Sequence, residues 1–235
     1  MKKAFKNGVF LSIGALWFGL ASPLSADILY ANTNNDLGIR FNPGTAEVGN
    51  EINLASLGNL TYFSFEYWGT NTAKPDNSTF AGDVEARVTF YLNNGTPPFN
   101  GYPTPGPSFW QSDWFELSPT ARSTEYFTAA LGDFPSGGLP LTSLNMTWTV
   151  QFEDIGDVGA TDSVGVDLYW EPTVGSAYGD YWENDVGGWT LNTNSLSTSM
   201  TFGALMETPE PSSMTLSLLG GLGILIAMRR FRRKE

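Results

Sequence analysis

Any chemistry in this chain falls to carboxylates, because the sequence contains neither histidine nor cysteine. Their absence removes the commonest zinc ligands, a thiolate nucleophile and an imidazole base. A disulfide is excluded for the same reason. A glycosidase would need two acids flanking a sugar, at roughly 5 Å or 6.5–9.5 Å. Glu153/Asp154, Asp180/Glu183 and Glu183/Asp185 are pairs that loops could place beside aromatic rings. None stands in a motif that fixes an acid against a base, and no catalytic residue is assigned.

Calcium is a better use of the acids. The stretch 153–162 supplies Asp154, Asp157 and Asp162 with turn-forming glycines between two strands, and oxygen-rich loops of this kind suit Ca²⁺. Neither it nor 180–185 matches the 12-residue calcium loop of the helix–loop–helix type, so solvated acidic loops remain the competing reading. Aromatics crowd the same regions: Tyr102, Phe109, Trp110, Trp114 and Trp189, with Tyr178, Tyr181 and Trp182 beside Asp180, Glu183 and Asp185. A ring face can stack on a sugar while neighbouring acids accept its hydroxyls. Tyr178, Asp180, Tyr181, Trp182, Glu183 and Asp185 are therefore the candidate ligand loop. The alternative is that the rings are packing, since large aromatics dominate β interiors.

The elements that must carry these residues are strands. Period-two alternation runs through Asp83–Leu92, with Val84, Ala86, Val88, Phe90 and Leu92 on one face. Leu144–Glu153 repeats it with Leu144, Met146, Trp148, Val150 and Phe152, and Val164–Glu171 with Val164, Val166, Leu168 and Trp170. Thr61–Trp68 aligns Phe63, Phe65 and Tyr67, and Thr198–Met206 aligns Met200, Phe202, Ala204 and Met206. Weaker strands are expected near Asp27–Ala31, Gly38–Phe41, Asp113–Leu117, Glu125–Ala129 and Gly188–Asn192. The Pro/Gly-rich stretch Gly101–Pro107 is expected to be stiff, extended and unpaired. No internal stretch carries a helical stripe. One apolar face per strand is what antiparallel sheets with a single buried side require. The fold class is all-β: an antiparallel two-sheet sandwich, jelly-roll-like, with a closed barrel as the alternative and the strand order open.

Residues 27–206 form one domain's worth of chain. Between Asp27 and Met206 there are 21 Asp and Glu residues against Arg40, Lys74, Arg87 and Arg122, about −17, although the whole chain carries only −12. Nucleic acid is excluded as a partner, since such a surface repels phosphates. The missing positive charge sits at the ends. Lys2, Lys3 and Lys6 precede an apolar run from Val9 to Leu20, and Pro23-Leu24-Ser25-Ala26 precedes Asp27. That is the layout of a secretory signal, residues 1–26, cut between Ala26 and Asp27; an uncleaved anchor is the alternative. At the other end, residues 212–228 hold no charge and would make a helix of roughly 25 Å, enough to cross a thin bilayer. Arg229, Arg230, Arg232, Arg233 and Lys234 follow and favour the cytoplasmic side.

Pro209-Glu210-Pro211, the apolar span and the terminal basic cluster together resemble the PEP-CTERM sorting signal of Gram-negative bacteria, here residues 207–235. The resemblance implies recognition of Pro209, Glu210 and Pro211 by an exosortase-type processing enzyme. It also implies an inner-membrane precursor anchored by the basic cluster, loss of the tail, and a setting rich in exopolysaccharide. A permanent single-span anchor is the competing reading. More loosely, Tyr62–Trp68, Val88–Gly95 and Ser112–Phe115 resemble exported β-sandwich ectodomains that carry such signals, which implies a fold and no reaction. The expectation is a non-enzymatic exported cell-surface or extracellular-matrix protein without a required cofactor. A carbohydrate- or calcium-binding adhesive module and a secreted carboxylate-dependent glycosidase are the alternatives.

Overall fold

The computed structural model describes residues 26–71, 83–118, 120–155, 162–193 and 201–209. The signal segment, Glu210 and Pro211, the apolar span and the basic cluster lie outside the described residues, as does the calcium loop around Asp157. In chain order the strands begin with β1 (Ile28–Asn32), β2 (Asp36–Phe41), β3 (Glu47–Asn53), β4 (Asn59–Leu60) and β5 (Tyr62–Asn71). Then come β6 (Asp83–Leu92), β7 (Gly95–Phe99), β8 (Tyr102–Thr104), β9 (Ser108–Gln111), β10 (Phe115–Glu116) and β11 (Arg122–Thr128). The last are β12 (Leu139–Pro140), β13 (Asn145–Ile155), β14 (Asp162–Tyr169), β15 (Ser176–Ala177), β16 (Asp180–Asp185), β17 (Gly188–Thr193), β18 (Thr201–Phe202) and β19 (Ala204–Glu207).

Two large sheets account for most of these strands. One runs β1-β19-β5-β14-β18, with β11 on β5 and β2 on β14; the other runs β10-β6-β13-β3-β16-β17, with β15 on β3 and β9 on β6. Every pairing is antiparallel. The inward rows meet in one aromatic core. Phe63 of the first sheet stands edge-on to Phe90 and Trp148 of the second, with centroids 5.0 and 5.4 Å away. Burying each such ring stabilises the fold by about 1.5–3 kcal/mol. The alternation in β5, β6 and β13 is therefore the imprint of that core, with Val84, Ala86, Val88, Phe90, Met146, Trp148, Val150 and Phe152 all buried.

Three expectations are corrected. Leu144 and Trp170, placed inward by alternation, are exposed, because β13 starts one residue after Leu144 and β14 stops at Tyr169, next to a register shift against β2. Tyr169 is buried, but on the outer face of the sheet, where its hydroxyl meets Glu66 and Arg122. The Gly101–Pro107 stretch does pair: Tyr102 lies opposite Phe99 and Thr104 opposite Gly95, leaving the intervening prolines outside the ladder.

Of the strands that the alternation does not announce, β3 and β16 are the longest. β3 lies between β13 and β16 in the second sheet, yet its inward row reads Val48, Asn50, Ile52. Asn50 is fully buried, and its side chain bridges the two sheets. Its Nδ2 donates to the Asp180 carbonyl at 3.0 Å and its Oδ1 accepts from the Phe202 amide at 2.6 Å. The other is β16, paired with β17 along its length and with β3 at Trp182, Glu183 and Asn184.

The ends of the domain meet. Ile28 pairs with Glu207 in the β1–β19 ladder, and the Asp27 amide donates to the Thr208 hydroxyl at 3.2 Å. Regular pairing thus runs past Met206 into Glu207, the first residue of the segment 207–235.

Candidate functional site

The outer face of the second sheet is polar, and its composition follows from the register. Glu47 lies opposite Asn184, Gly49 opposite Trp182 and Thr149, and Gln151 opposite Arg87, so these side chains share the face that points away from the core. At one end of this face a cleft of about 720 Å³ opens between the start of β3, the ends of β6 and β13, and the β16–β17 hairpin. Glu47, Arg87, Gln151, Glu153, Glu183, Asn184 and Asp185 supply its polar lining.

Glu47 is buried, and neutral donors surround its carboxylate. Oε1 accepts from the Tyr91 hydroxyl at 2.9 Å and from the Thr149 hydroxyl at 2.6 Å; Oε2 accepts from Asn184 Nδ2 at 3.0 Å. Burial, and then the negative charge of Glu47, push the Tyr91 hydroxyl above its ordinary pKa, so it remains a donor at every physiological pH. Arg87 is the cation of the cleft. Its Nη2 donates to Gln151 Oε1 at 2.9 Å and its guanidinium lies 4.6 Å from the centre of the Trp114 ring. Gln151 in turn donates to the Thr45 carbonyl at 3.1 Å. Glu183 Oε2 accepts from Asn192 Nδ2 at 2.6 Å, and the Asp185 carboxylate caps the hairpin turn through the Gly187 amide at 2.6 Å.

The candidate ligand loop is not a loop. Asp180–Asp185 is strand β16, and its members scatter. Trp182 is fully buried on the outer face against Trp189 and Phe99, with centroids 6.4 and 6.3 Å away, so its ring is closed to a ligand. Tyr181 packs the other way, 5.0 Å from Phe41 and 5.9 Å from Phe202. The Asp180 carbonyl holds Asn50, and burial pushes the Asp180 carboxyl upward. Tyr178 is exposed. Glu183 and Asp185 do reach the cleft, where they meet residues that sequence reasoning missed: Glu47, Arg87, Gln151 and Asn184. Their convergence depends on a register that no local pattern encodes.

Among the described residues no group of three or more acids is arranged to hold a metal ion. Of the calcium candidates, Asp154 lies near the end of β13 and Asp162 opens β14, while Asp157 lies outside the described residues. The cleft offers carboxylate and amide oxygens plus one guanidinium, a lining suited to accepting hydrogen bonds from hydroxyl groups. Comparisons with protein-family models, with curated proteins and with solved structures found no match.

Proposed function

We propose that the protein is a non-enzymatic, exported cell-surface or extracellular-matrix protein of a Gram-negative bacterium, associated with exopolysaccharide. Sorting runs through Pro209, Glu210 and Pro211, the apolar span and the basic cluster, read by an exosortase-type enzyme at the inner membrane. We read the β-sandwich as jelly-roll-like, since neighbours such as β13 between β3 and β6 are distant in sequence.

The observation that supports export most directly is the seam between the domain's ends. β1 opens two residues after Ala26 and β19 closes two residues before Pro209, with Asp27 and Thr208 hydrogen-bonded to each other. Removal of residues 1–26 and of everything beyond Pro209 would leave that seam whole. The test is fractionation of the native host. Glu210→Ala, or deletion of 229–234, is expected to leave precursor in the inner membrane; undiminished release of mature protein would remove the sorting reading.

The cleft favours a second reading, direct polysaccharide binding. Cosedimentation of the released protein with the host's exopolysaccharide tests it. Glu153→Gln, an exposed acid on the same face as Gln151 and Arg87, is expected to weaken retention about five- to tenfold, the worth of one lost acceptor. Equal retention of the wild-type and variant proteins, or none by either, would remove the cleft as a sugar site.

A further inference from the structure

The outer face of the first sheet holds a second polar centre, unrelated to the cleft. Asp167, in the middle of β14, is fully buried. Its register partner across the ladder is Arg40 of β2, whose Nη1 approaches Asp167 Oδ1 to 2.7 Å. Arg122 of β11 brings its Nε to 3.3 Å from Oδ2. The guanidinium groups are near but poorly aimed, and neither Asp167 oxygen accepts a well-formed hydrogen bond.

Two more acids share those arginines. Arg122 Nη1 is 2.5 Å from Asp36 Oδ2, and its Nε donates to Glu66 Oε2 at 3.0 Å. Arg40 Nη1 also lies 3.4 Å from Asp36 Oδ1. The Tyr169 hydroxyl donates to Glu66 Oε2 at 2.5 Å and accepts from Arg122 Nη2. Gly203 permits this arrangement, because a Cβ there would lie 2.5 Å from a Tyr169 ring carbon. The charged and titratable groups facing Asp167 are therefore Asp36 and Arg40 from β2, Glu66 from β5, Arg122 from β11 and Tyr169 from β14 itself. The adjoining strand β18, Thr201–Phe202, brings none.

Fully ionised, the centre holds three carboxylates against two guanidinium groups, one negative charge in excess. Asp36 and Glu66 keep some contact with solvent and good partners; Asp167 has neither. A single proton on Asp167 balances the charge and removes the one carboxylate that is both buried and poorly hydrogen-bonded. The remaining contacts, Arg122 with Glu66 and Asp36 and Arg40 with Asp36, survive that protonation and still tie β2, β5 and β11 together.

We propose that this centre is an acid-strengthened clasp: in mildly acidic surroundings Asp167 takes up one proton, and the β-sandwich becomes more stable. The direction agrees with the local electrostatics. Burial, opposed by Arg40 and Arg122, pushes the Asp167 carboxyl up to about 6 from an ordinary 3.8. A folded state that holds the proton more tightly has the full benefit below the unfolded pKa and loses it as pH rises through about 6. Asp36 acts oppositely: burial raises it, but the Gly38 amide and Arg122 hold it below the usual range, so its effect falls at lower pH.

The experiment is thermal unfolding of the full-length chain in detergent between pH 4.5 and 7.5, for wild type, Asp167→Asn and the exposed control Asp113→Asn. Wild type and Asp113→Asn are expected to lose about 5 °C in Tm across this range, while Asp167→Asn loses clearly less, keeping only the part due to other raised carboxyls such as Asp180. Parallel curves for all three would overturn the proposal and show only the general self-repulsion of an acidic domain. Should Asp167→Asn fail to fold, carboxyl carbon NMR of wild type decides. An Asp167 resonance, assigned by sequence-specific connectivity, that titrates near 6 supports the clasp, and one that titrates below about 5 overturns it.

Discussion

Glu47 and Asp167 are buried carboxylates on the outer faces of opposite sheets, and their surroundings differ in kind. Three neutral donors, Tyr91, Thr149 and Asn184, are aimed at Glu47. Asp167 is met by two full positive charges that come close without forming a well-aligned hydrogen bond. Neutral dipoles hold a charge in place without charges of their own to desolvate. Guanidinium groups bring their own desolvation penalty, so the pair offsets its burial only with good geometry. The comparison teaches that proximity of opposite charges and satisfaction of a buried acid are separate properties, and this fold contains one example of each.

The comparison breaks most readily at Glu47. Glu47→Ala strands one buried donor, Thr149, and two half-buried ones, Tyr91 and Asn184, and is expected to cost about 2–4 kcal/mol, read by urea unfolding with an unchanged m-value. A loss under about 1 kcal/mol would mean that the donors find other partners. Arg40→Met keeps the stem and removes one charge facing Asp167. At pH 7.5, with Asp167 ionised, it should cost about 2 kcal/mol, because a buried carboxylate loses its nearer partner. At pH 5 the cost should shrink, since Asp167 is then mostly protonated; equal losses at both pH values would place the proton elsewhere. The rim carboxylate sets the lower end of the scale. Glu153→Gln should shift stability by no more than about 0.5 kcal/mol, because Glu153 is exposed, so any loss of polysaccharide binding cannot come from unfolding.

The sequence declares its strands wherever the two sheet faces differ in polarity. β5, β6 and β13 are legible because every inward residue of their central stretch is apolar. β3 is not, because Asn50 occupies the inward row to bridge the sheets, and one polar residue in a seven-residue strand hides the period. β16 reads as a loop because its Trp182 faces outward into a small aromatic cluster while Tyr181 faces the core. Asp167 falls on the outward face of an alternating strand, in agreement with its register opposite Arg40, yet it is buried beneath Arg40 and Arg122. The cleft was half visible: Glu183 and Asp185 stand in one acidic stretch, whereas Glu47, Arg87 and Gln151 arrive from strands far apart in sequence. Long-range register is set by the whole sheet, and local spacing carries no trace of it.

The β1–β19 seam has a mechanical consequence. β19 is laced on both flanks, to β1 and to β5. A tether pulling on the chain at Pro209 along the strand axis would meet both ladders in shear, where many hydrogen bonds yield together. A pull that separates Asp27 from Thr208 would open the β1 side bond by bond, like a zip. The same domain is thus built to resist traction through its tail far better than prising apart at its ends.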